Sequence, residues 1–423
     1  MATDAIEVQP CSTIDASIRP PSSKSITNRA LICAALAVGR SKLLQPLDSE
    51  DTRVMVDSLQ RLGLKVERAD DDLLVDGCGG DIPAEQAELF IENSGTSVRF
   101  LTALLTLGDG EFVIDGIPRM RERPIEDLLA ALRMLGAKLD SETGCPPVSV
   151  SASGLRGGEV SIKGNISSQY LSGLLMSAPY ARSPVSIVVD GELVSRPYVD
   201  MTLAIMAEFG VEVAAETSRF EVPHQKYSAR EYAIEPDASA ASYFWAAAAI
   251  AGGSATVEGL SRSSLQGDVG FCDLLVQMGC ELEESTSGMT IRRNGKLHGI
   301  DCDMGNVSDT AQTLSVVALF ADGPTTIRGI AHNRHKETDR IGNLAIELRK
   351  FGAKVDEFED GFTVHPPQEI SGATIETYDD HRMAMSLALP GLRVPGVKIL
   401  DPACTGKTYP DFFEDLASIR TQA

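Results

Sequence analysis

The sequence predicts an α/β fold made of six repeats and divided into two similar domains. Five glycines that each follow an amphipathic helical pattern recur at nearly constant intervals, at Gly63, Gly136, Gly210, Gly279 and Gly352. A second element, a polar helix start, occurs six times. With six copies in 423 residues the repeat is about 70 residues long. A chain of this length exceeds one ordinary hydrophobic core, which predicts two domains.

Each glycine element has the same predicted structure. An amphipathic helix, such as residues 125–134, comes first, and the glycine occupies the position after its end where a left-handed cap is favoured. An alternating strand, a short acidic or glycine-containing turn and a second strand follow.

The helix starts form the other half of the repeat. A polar cap opens an apolar helix of small residues, and a strand follows it. At the first copy, Pro20 and Pro21 end the preceding segment and a serine cluster offers caps. The six copies begin at residues 23–25, 93–96, 165–169, 237–239, 308–310 and 378–382. One unit is therefore predicted as helix, strand, helix, strand, strand.

The sixth unit ends without its strand pair, which predicts a discontinuous domain. The chain stops soon after residue 416, whereas residues 5–8 and 16–19 have strand-like patterns on either side of a polar turn. We expect residues 1–22 to complete the last unit. The predicted domains are 23–235 and 1–22 plus 236–423, with hinge crossings near the prolines at 20–21 and near Glu235-Pro236.

Composition limits the possible partners and location. A net charge of −22 argues against nucleic acid and anionic membranes. The N-terminus is acidic, and the longest apolar run, residues 243–251, is too short to cross a bilayer, so we expect a cytoplasmic protein. Eight scattered cysteines predict no structural metal, and no phosphate-loop or dinucleotide motif occurs.

Cations concentrate at the helix starts and at the loops that follow them. Each helix N-terminus carries the equivalent of roughly half a positive charge, which favours anions. A single Lys or Arg is usually solvated surface, but a set at equivalent repeat positions in an acidic protein predicts an anion site. The cations are Lys24, Arg29, Arg99, Arg123, Lys336, Arg340, Arg382 and Lys407.

Two acids lie among these cations. Asp309 is either a helix cap or an acid–base group, and Glu337 is either a surface residue or an acid–base group. His381 next to Arg382 is equally a structural or a functional histidine.

Eight motifs together resemble the EPSP synthase (3-phosphoshikimate 1-carboxyvinyltransferase) family of enolpyruvyl transferases, in order and along essentially the whole chain. They are residues 24–30, 93–99, 121–125, 167–171, 193–198, 336–340, 380–385 and 404–408. The resemblance implies two domains of three βαβαββ repeats each (an inside-out α/β barrel), a two-segment hinge and an active-site cleft between the domains. It also implies a monomer that needs no cofactor or metal.

The resemblance further implies the reaction and the roles of individual residues. The 5-hydroxyl of shikimate 3-phosphate attacks C2 of phosphoenolpyruvate while C3 is protonated, and the tetrahedral product then loses phosphate. The implied catalytic residues are Asp309 at the attacking hydroxyl, Glu337 near C3, and Lys24. The implied shikimate 3-phosphate ligands are Lys24, Ser25, Arg29, Ser167, Ser168, Gln169, Ser195, Tyr198, Asp309 and Lys336. The implied phosphoenolpyruvate ligands are Lys24, Asn93, Gly95, Arg123, Gln169, Arg340, Arg382 and Lys407.

One position departs from the family pattern, and two alternative functions stay open. Some members have Asn four residues before the Lys of the Lys-Glu-Thr motif, whereas this chain has His332 followed by Asn333, and neither is assigned. A UDP-N-acetylglucosamine enolpyruvyl transferase commonly has a reactive Cys in the loop that corresponds to residues 118–124, which lacks one here. A non-catalytic anion-binding repeat module is the other alternative. Gly95 leaves room for glyphosate, the family's inhibitor, so we expect sensitivity.

Overall fold

The computed structural model describes residues 4–420, which contain alternating helices and short strands. The α-helices are α1 (Lys24–Leu36), α2 (Glu50–Arg61), α3 (Gly95–Leu105), α4 (Glu126–Met134), α5 (Ser168–Ser177), α6 (Arg196–Glu208), α7 (Ala238–Ala251), α8 (Phe271–Gln277), α9 (Ala311–Ala318), α10 (Gly342–Lys350), α11 (His381–Ala388) and α12 (Phe412–Ser418). None of these helices has both the length and the apolar character that a membrane crossing requires.

The strands occur in groups between the helices. They are β1 (Ala5–Val8), β2 (Ile14–Ile18), β3 (Val38–Leu44), β4 (Lys65–Ala69), β5 (Asp72–Cys78), β6 (Gln86–Phe90), β7 (Asp109–Asp115), β8 (Lys138–Asp140), β9 (Val148–Ser153), β10 (Gly158–Lys163), β11 (Val185–Asp190), β12 (Ala214–Ala215), β13 (Arg219–Val222), β14 (Glu231–Ala233), β15 (Gly253–Glu258), β16 (Glu281–Ser285), β17 (Gly288–Arg293), β18 (Asp301–Asp303), β19 (Thr325–Arg328), β20 (Lys354–Phe358), β21 (Gly361–His365), β22 (Thr374–Ile375) and β23 (Val397–Leu400).

The chain forms two compact units. The continuous unit contains residues 22–234, and the discontinuous unit contains the chain up to residue 21 together with the chain from residue 235 onward.

The continuous unit has three four-stranded sheets with one common plan. Their strand orders are β14-β3-β5-β4, β6-β7-β9-β8 and β10-β11-β13-β12. In each sheet the first two strands are parallel and the remaining pairs are antiparallel. In the second and third sheets, the strand before a cap helix (a helix that begins with a polar cap, here α3 or α5) pairs with the strand after it. In the first sheet, β14, the last strand of the unit, pairs instead with β3, which follows the cap helix α1. A hairpin completes each sheet.

The discontinuous unit repeats this plan with strands from both ends of the chain. Its sheets are β2-β15-β17-β16, β18-β19-β21-β20 and β22-β23-β1. Residues 5–8 pair antiparallel with residues 397–400, while residues 14–18 pair in parallel with residues 253–257. The predicted α/β fold of βαβαββ-type repeats is confirmed.

Two details of the predicted repeat are corrected. Residues 14–18 do not help to complete the sixth unit, because they form the first strand of the fourth sheet. The unit predicted from the residue pattern alone, helix, strand, helix, strand, strand, also lacked the first strand that the family resemblance implies. In three of the six sheets that strand has three residues or fewer and lies at a sheet edge, in residues 231–233, 301–303 and 374–375, so its hydrophobic pattern is too brief to detect.

The repeat glycines occupy the left-handed positions that the sequence predicts. Their φ angles are +83°, +90°, +89°, +102° and +96° in chain order. Each therefore follows a helix end at a backbone conformation that L-residues with side chains disfavour.

The cap helices form the interior of each unit. Every residue of α3 is buried, as is every residue of α7. Strand residues alternate between the buried and the accessible face, as in β11. A helix that is apolar on all sides needs to be enclosed, and the sheets provide that enclosure.

Polar contacts hold the cap-helix starts together within each unit. In the continuous unit, Asn28 Nδ2 of α1 donates to Thr96 Oγ1 of α3 at 2.8 Å. In the discontinuous unit, the hydroxyls of Ser242 and Thr313 lie 3.1 Å apart, and those of Thr313 and Ser386 lie 3.3 Å apart. The cap helices α1 and α3 are thus neighbours in the continuous unit, and α7, α9 and α11 are neighbours in the discontinuous unit.

Candidate active site

Asp309 is the centre of an ion-pair network in the discontinuous unit. Its Oδ1 lies 2.5 Å from Lys336 Nζ and 3.6 Å from Arg340 Nη1, and its Oδ2 accepts from Arg382 Nη2 at 2.9 Å. The residue lies in a 3-10 turn of residues 308–310, just before α9, where no side-chain cap bond forms. Asp309 therefore serves as a partner of three cations and not as a helix cap.

Arg340 extends the network to two further carboxylates. Its Nε and Nη2 donate to Asp380 at 2.7 and 3.0 Å, and its Nη2 also lies 2.8 Å from Glu337 Oε2. Lys407 Nζ lies 3.7 Å from the other oxygen of Glu337. The Asp380 side chain is fully buried and caps α11 by accepting from the Arg382 N–H at 2.9 Å. Four predicted cations and both predicted acids thus belong to one connected cluster.

The charges of this cluster shift the pKa values of its members. Burial raises the pKa of Asp309, but the charges of Arg382, Lys336 and Arg340 outweigh it and hold that pKa well below its usual range. Burial lowers the pKa of Lys336, and the neighbouring arginines act in the same direction against the opposing charge of Asp309. At neutral pH Asp309 is a carboxylate.

His332 and Asn333 support the backbone beside Asp309. The Nε2 of His332 lies 2.9 Å from Ser308 Oγ, and Asn333 Nδ2 donates to the Ser308 carbonyl oxygen at 2.9 Å. Burial, with the charge of Lys336, lowers the pKa of His332 to about 3, so this imidazole is neutral. Both residues that departed from the family pattern thus contact the segment that carries Asp309.

In the continuous unit, Lys24 lies at the start of α1 and faces an acid of α2. Its Nζ is 3.2 Å from Asp51 Oδ2. The first turn of α1 is capped by Ser23, whose side chain accepts from the N–H of Ile26, as predicted. Ser25 follows Lys24 and is half-buried.

Arg29 binds atoms of the protein through all three of its guanidinium nitrogens. Its Nε donates to Thr202 Oγ1 at 2.7 Å, its Nη1 to the Ser25 carbonyl at 2.9 Å, and its Nη2 to Ser172 Oγ and the Tyr198 carbonyl at 3.3 and 3.2 Å. Burial lowers its pKa to about 10, which leaves it charged at neutral pH. Arg29 thus connects the starts of α1, α5 and α6.

Arg123 lies over the start of α3. Its Nη1 donates to the carbonyl oxygen and to Oδ1 of Asn93 at 3.0 and 3.1 Å. A Cβ added at Gly95 would lie 2.5 Å from Arg123 Nη2. The space beside Gly95 is therefore filled by the Arg123 guanidinium. Arg99 donates to the carbonyls of Gly95 and Pro124 at 3.1 and 2.8 Å, which fixes this loop.

Polar residues of the third repeat surround the starts of α5 and α6. Ser167 caps α5 by accepting from the Gln169 N–H at 3.3 Å. Ser168 is buried at the first position of this helix. Ser195 is a non-glycine residue in the left-handed region, with φ of 54°, and precedes α6. The hydroxyl of Thr202, on α6, donates to Ser172 of α5 at 2.8 Å, which holds the two helices side by side.

The predicted residues thus gather in two sets, one in each unit, and several important partners were missed. The unpredicted members are Asp51, Ser172, Thr202, Ser308 and Asp380. A signal in the sequence was available for one of them, Asp51. The interval in the sequence from Lys24 to Asp51 equals that from Asp309 to Lys336. In the first and fifth repeats, the cap-helix start therefore contacts a residue at the same interval further along the chain.

Both sets contain several Lys and Arg side chains, with carboxylates of Asp or Glu in contact with some of them. Within residues 4–420, no group of three or more His, Cys, Asp or Glu side chains is arranged to hold a metal ion. Arg and Lys near helix starts bind phosphate and carboxylate groups, and carboxylates held among them accept or donate protons.

Comparisons with known proteins agree with this chemistry. A family model described as EPSP synthase (3-phosphoshikimate 1-carboxyvinyltransferase) matches residues 8–416. A protein of Shewanella denitrificans named 3-phosphoshikimate 1-carboxyvinyltransferase is 48% identical, with 99% of both chains covered. A relative of the same name from a Marinomonas species is 49% identical over 97% of this chain and 98% of its own. The solved EPSP synthase of Acinetobacter baumannii is similar in structure, with a TM-score of 0.82 at 25% identity over 99% of this chain and 98% of that one. The match from residue 8 to residue 416 and these full-length relatives show that the chain belongs to the EPSP synthase family.

Proposed function

We propose that the protein transfers the enolpyruvyl group of phosphoenolpyruvate to the 5-hydroxyl of shikimate 3-phosphate and releases inorganic phosphate. The observation that carries the proposal is the connected cluster in which Asp309 contacts Lys336, Arg340 and Arg382 while Glu337 contacts Arg340 and Lys407. A reaction between two anionic substrates with two proton transfers requires this combination of groups.

In the addition step, the 5-hydroxyl oxygen forms a bond to C2 of phosphoenolpyruvate and its proton passes to the Asp309 carboxylate. Glu337 gives a proton to C3, which completes a tetrahedral ketal phosphate. In the elimination step, C3 returns a proton to Glu337 as the bond from C2 to the phosphate oxygen breaks. The proton held by Asp309 passes to the departing phosphate, so the products are the enolpyruvyl ether and hydrogen phosphate, and both acids return to their starting protonation states. Arg340, Arg382 and Lys407 stabilise the charge of the departing phosphate.

Substrate binding is expected to make Asp309 a stronger base. Lys336 and Arg382 contact its carboxylate and keep its pKa low. A substrate phosphate or carboxylate that binds these cations neutralises part of their charge. The pKa of Asp309 then rises toward the range in which it accepts a proton from a hydroxyl.

The continuous unit supplies the remaining proposed contacts. Lys24 contacts both substrates, and Asn93, Gly95, Arg123 and Gln169 bind phosphoenolpyruvate. The proposed shikimate 3-phosphate ligands of this unit are Ser25, Arg29, Ser167, Ser168, Gln169, Ser195 and Tyr198. Because its nitrogens already bind protein atoms, Arg29 contributes to the shikimate 3-phosphate site chiefly by fixing the starts of α1, α5 and α6.

The two alternative functions gain no support. The relatives carry the name of the shikimate enzyme, and the loop 118–124 lacks the cysteine that the UDP-N-acetylglucosamine alternative requires. A non-catalytic module would have no need for Asp309 to be held between three cations.

A phosphate-release assay tests the proposal. We expect release only when shikimate 3-phosphate and phosphoenolpyruvate are both present. Matched reactions omit either substrate or replace shikimate 3-phosphate by UDP-N-acetylglucosamine. Release no faster than these controls would refute the proposed function, and release with the sugar nucleotide would favour the sister activity.

We also propose the setting in which the enzyme works. The relevant partners are the two small-molecule substrates, and the protein acts as a cytoplasmic monomer with domains 23–235 and 1–22 plus 236–423. Sedimentation equilibrium at micromolar concentration tests the monomer, and a mass of twice 45.1 kDa would contradict it.

A further inference from the structure

Glu347 is a fully buried carboxylate of α10 that lies outside the cluster described above. Its Oε1 accepts from the Tyr378 hydroxyl at 2.8 Å, and its Oε2 accepts from the Glu376 N–H at 3.1 Å. Lys350, one helical turn further along, reaches Oε2 at 2.7 Å. A buried carboxylate is retained only when such partners compensate for lost hydration, so this acid is committed to the segment 376–378.

The segment that Glu347 holds has an unusual backbone. Tyr378 and Asp379 are consecutive non-glycine residues in the left-handed region, with φ angles of 56° and 53°. Residues without glycine's freedom keep this conformation only when their surroundings impose it. The Glu347 carboxylate holds this segment by accepting hydrogen bonds from the Tyr378 hydroxyl and the Glu376 N–H. Across the turn, the N–H of Asp380 donates to the Thr377 carbonyl oxygen at 3.0 Å.

This turn leads directly to the catalytic cluster. Asp380 is the next residue, and it binds Arg340 through two bonds of 2.7 and 3.0 Å. Arg340 in turn contacts Glu337 at 2.8 Å. A displacement of the turn would therefore move Asp380, release Arg340 and change the position of the proposed proton donor.

We propose that Glu347 and the hydroxyl of Tyr378 are positioning residues for the enolpyruvyl transfer, because they hold the left-handed turn that presents Asp380 to Arg340. This inference rests on the proposed function. Neither residue touches the reacting groups, and both act through Asp380 and Arg340 on Glu337.

The test combines kinetics with crystallography of the full chain. Tyr378→Phe removes only the hydroxyl of Tyr378. Glu347→Gln keeps one acceptor oxygen at position 347, and Glu347→Ala removes both carboxylate oxygens. The matched control is Tyr227→Phe, because the Tyr227 hydroxyl likewise donates to a protein oxygen, the Met176 carbonyl oxygen at 2.9 Å. It lies in the continuous unit and has no proposed role.

We expect Tyr378→Phe to lower kcat/KM for phosphoenolpyruvate by about tenfold while KM for shikimate 3-phosphate changes less than about twofold. Glu347→Ala lowers kcat/KM further, Glu347→Gln recovers part of the loss, and Tyr227→Phe stays within about twofold of wild type. In crystals of Tyr378→Phe, the 378–379 turn is displaced and the 2.7 Å contact between Arg340 Nε and Asp380 lengthens.

Tyr378→Phe with wild-type kinetics and an unmoved turn would overturn the proposal, and so would equal losses in Tyr378→Phe and Tyr227→Phe. If Glu347→Ala fails to fold, Tyr378→Phe and Glu347→Gln decide. An inactive wild-type protein would refute the proposed function instead. The crystals would then decide by themselves whether Glu347 and Tyr378 set the contact of Asp380 with Arg340.

Discussion

The first and fifth repeats place opposite charges at the same two positions. In the first repeat, the cation Lys24 is on the cap helix and its partner further along the chain is the acid Asp51, 3.2 Å away. In the fifth repeat, the acid Asp309 is at the cap helix and the cation Lys336 follows after the same interval in the sequence, 2.5 Å away. In these two repeats the same backbone positions thus meet, and the side chains decide which charge each position carries.

The difference between the two pairs lies in their neighbours. Asp309 also contacts Arg340 and Arg382, and these cations lower its pKa well below the usual range. It is also more accessible, with 18% of its side chain exposed against 4% for Asp51. An acid that is both accessible and surrounded by cations suits proton transfer to an anionic substrate, whereas a buried acid suits the orientation of a lysine.

The largest expected effect separates these two acids directly. We expect Asp309→Asn to lower kcat by about a thousandfold, because a general base of this kind contributes 10²–10⁴-fold. Asp51→Asn, which alters an acid given no proton to transfer, should lower kcat by less than about tenfold. Steady-state phosphate release measures both variants. Equal losses in the two variants would show that the repeats do not differ in this way.

The next effect concerns stability. Asp380→Ala leaves the buried Arg340 without its bidentate partner and should lower the free energy of unfolding by about 3 kcal/mol. Lys24→Met removes one partner of a pair whose lysine is 12% exposed, and about 1 kcal/mol is expected. Urea unfolding followed by circular dichroism measures both values. A smaller loss for Asp380→Ala than for Lys24→Met would contradict this ranking.

A pH effect on stability from one histidine should distinguish the fifth repeat from the first. Four residues before Lys336 stands His332, whereas four residues before Asp51 stands Leu47. Burial, Lys336 and His335 lower the pKa of His332 to about 3 against the opposing charge of Asp309, while an unfolded histidine titrates near 6.5. The unfolded state therefore binds the extra proton between these values, and stability falls as the pH falls through that window.

His332→Gln keeps a hydrogen-bonding side chain next to Ser308 and removes this titration. Between pH 7 and pH 5, the wild type should lose about 2 kcal/mol more unfolding free energy than the variant. Urea titrations of both proteins at the two pH values measure the difference. The same pH dependence in the two proteins would rule out the neutral, buried histidine.

The smallest effect extends the comparison to the second repeat, where Arg123 pairs with the uncharged Asn93. Gly95→Ala places a methyl group against the Arg123 guanidinium, so KM for phosphoenolpyruvate and the inhibition constant of glyphosate should both rise, by about tenfold. Gly323→Ala is the control, because no atom lies within 4 Å of the added Cβ. Equal glyphosate inhibition constants for Gly95→Ala and wild type would refute the argument that the added methyl group disturbs the Arg123 guanidinium.

Features that depend only on residues close together in the sequence were predictable from the sequence. The left-handed glycines and the Ser23 cap follow from local backbone requirements. The strand 14–18 was placed in the wrong sheet, since its partner, residues 253–257, is chosen by packing and not by its own pattern. The short first strands, such as 374–375, have too few residues to show a period.

At the site, too, local features were predictable and contacts between distant residues were not. The cations at the helix starts were found because the repeat marks their positions, and the two acids were found with them. Asp380 was overlooked as a site residue because its bond to Arg340 joins positions far apart in the sequence and exists only in the folded unit. The four bonds of Arg29 to protein atoms likewise depend on where α5 and α6 lie.

The strand pairings of the chain ends determine the order in which the two units can fold during translation. All strands of the continuous unit have left the ribosome once residue 234 has emerged. Residues 5–8, by contrast, can pair with their partner strand only after residues 397–400 have been synthesised. For most of translation the N-terminal strands therefore have no partner, and unpaired strands tend to associate with other chains. Folding yield should consequently depend on whatever shields residues 5–18 during synthesis, and a circular permutant that joins them after residue 420 would remove that wait.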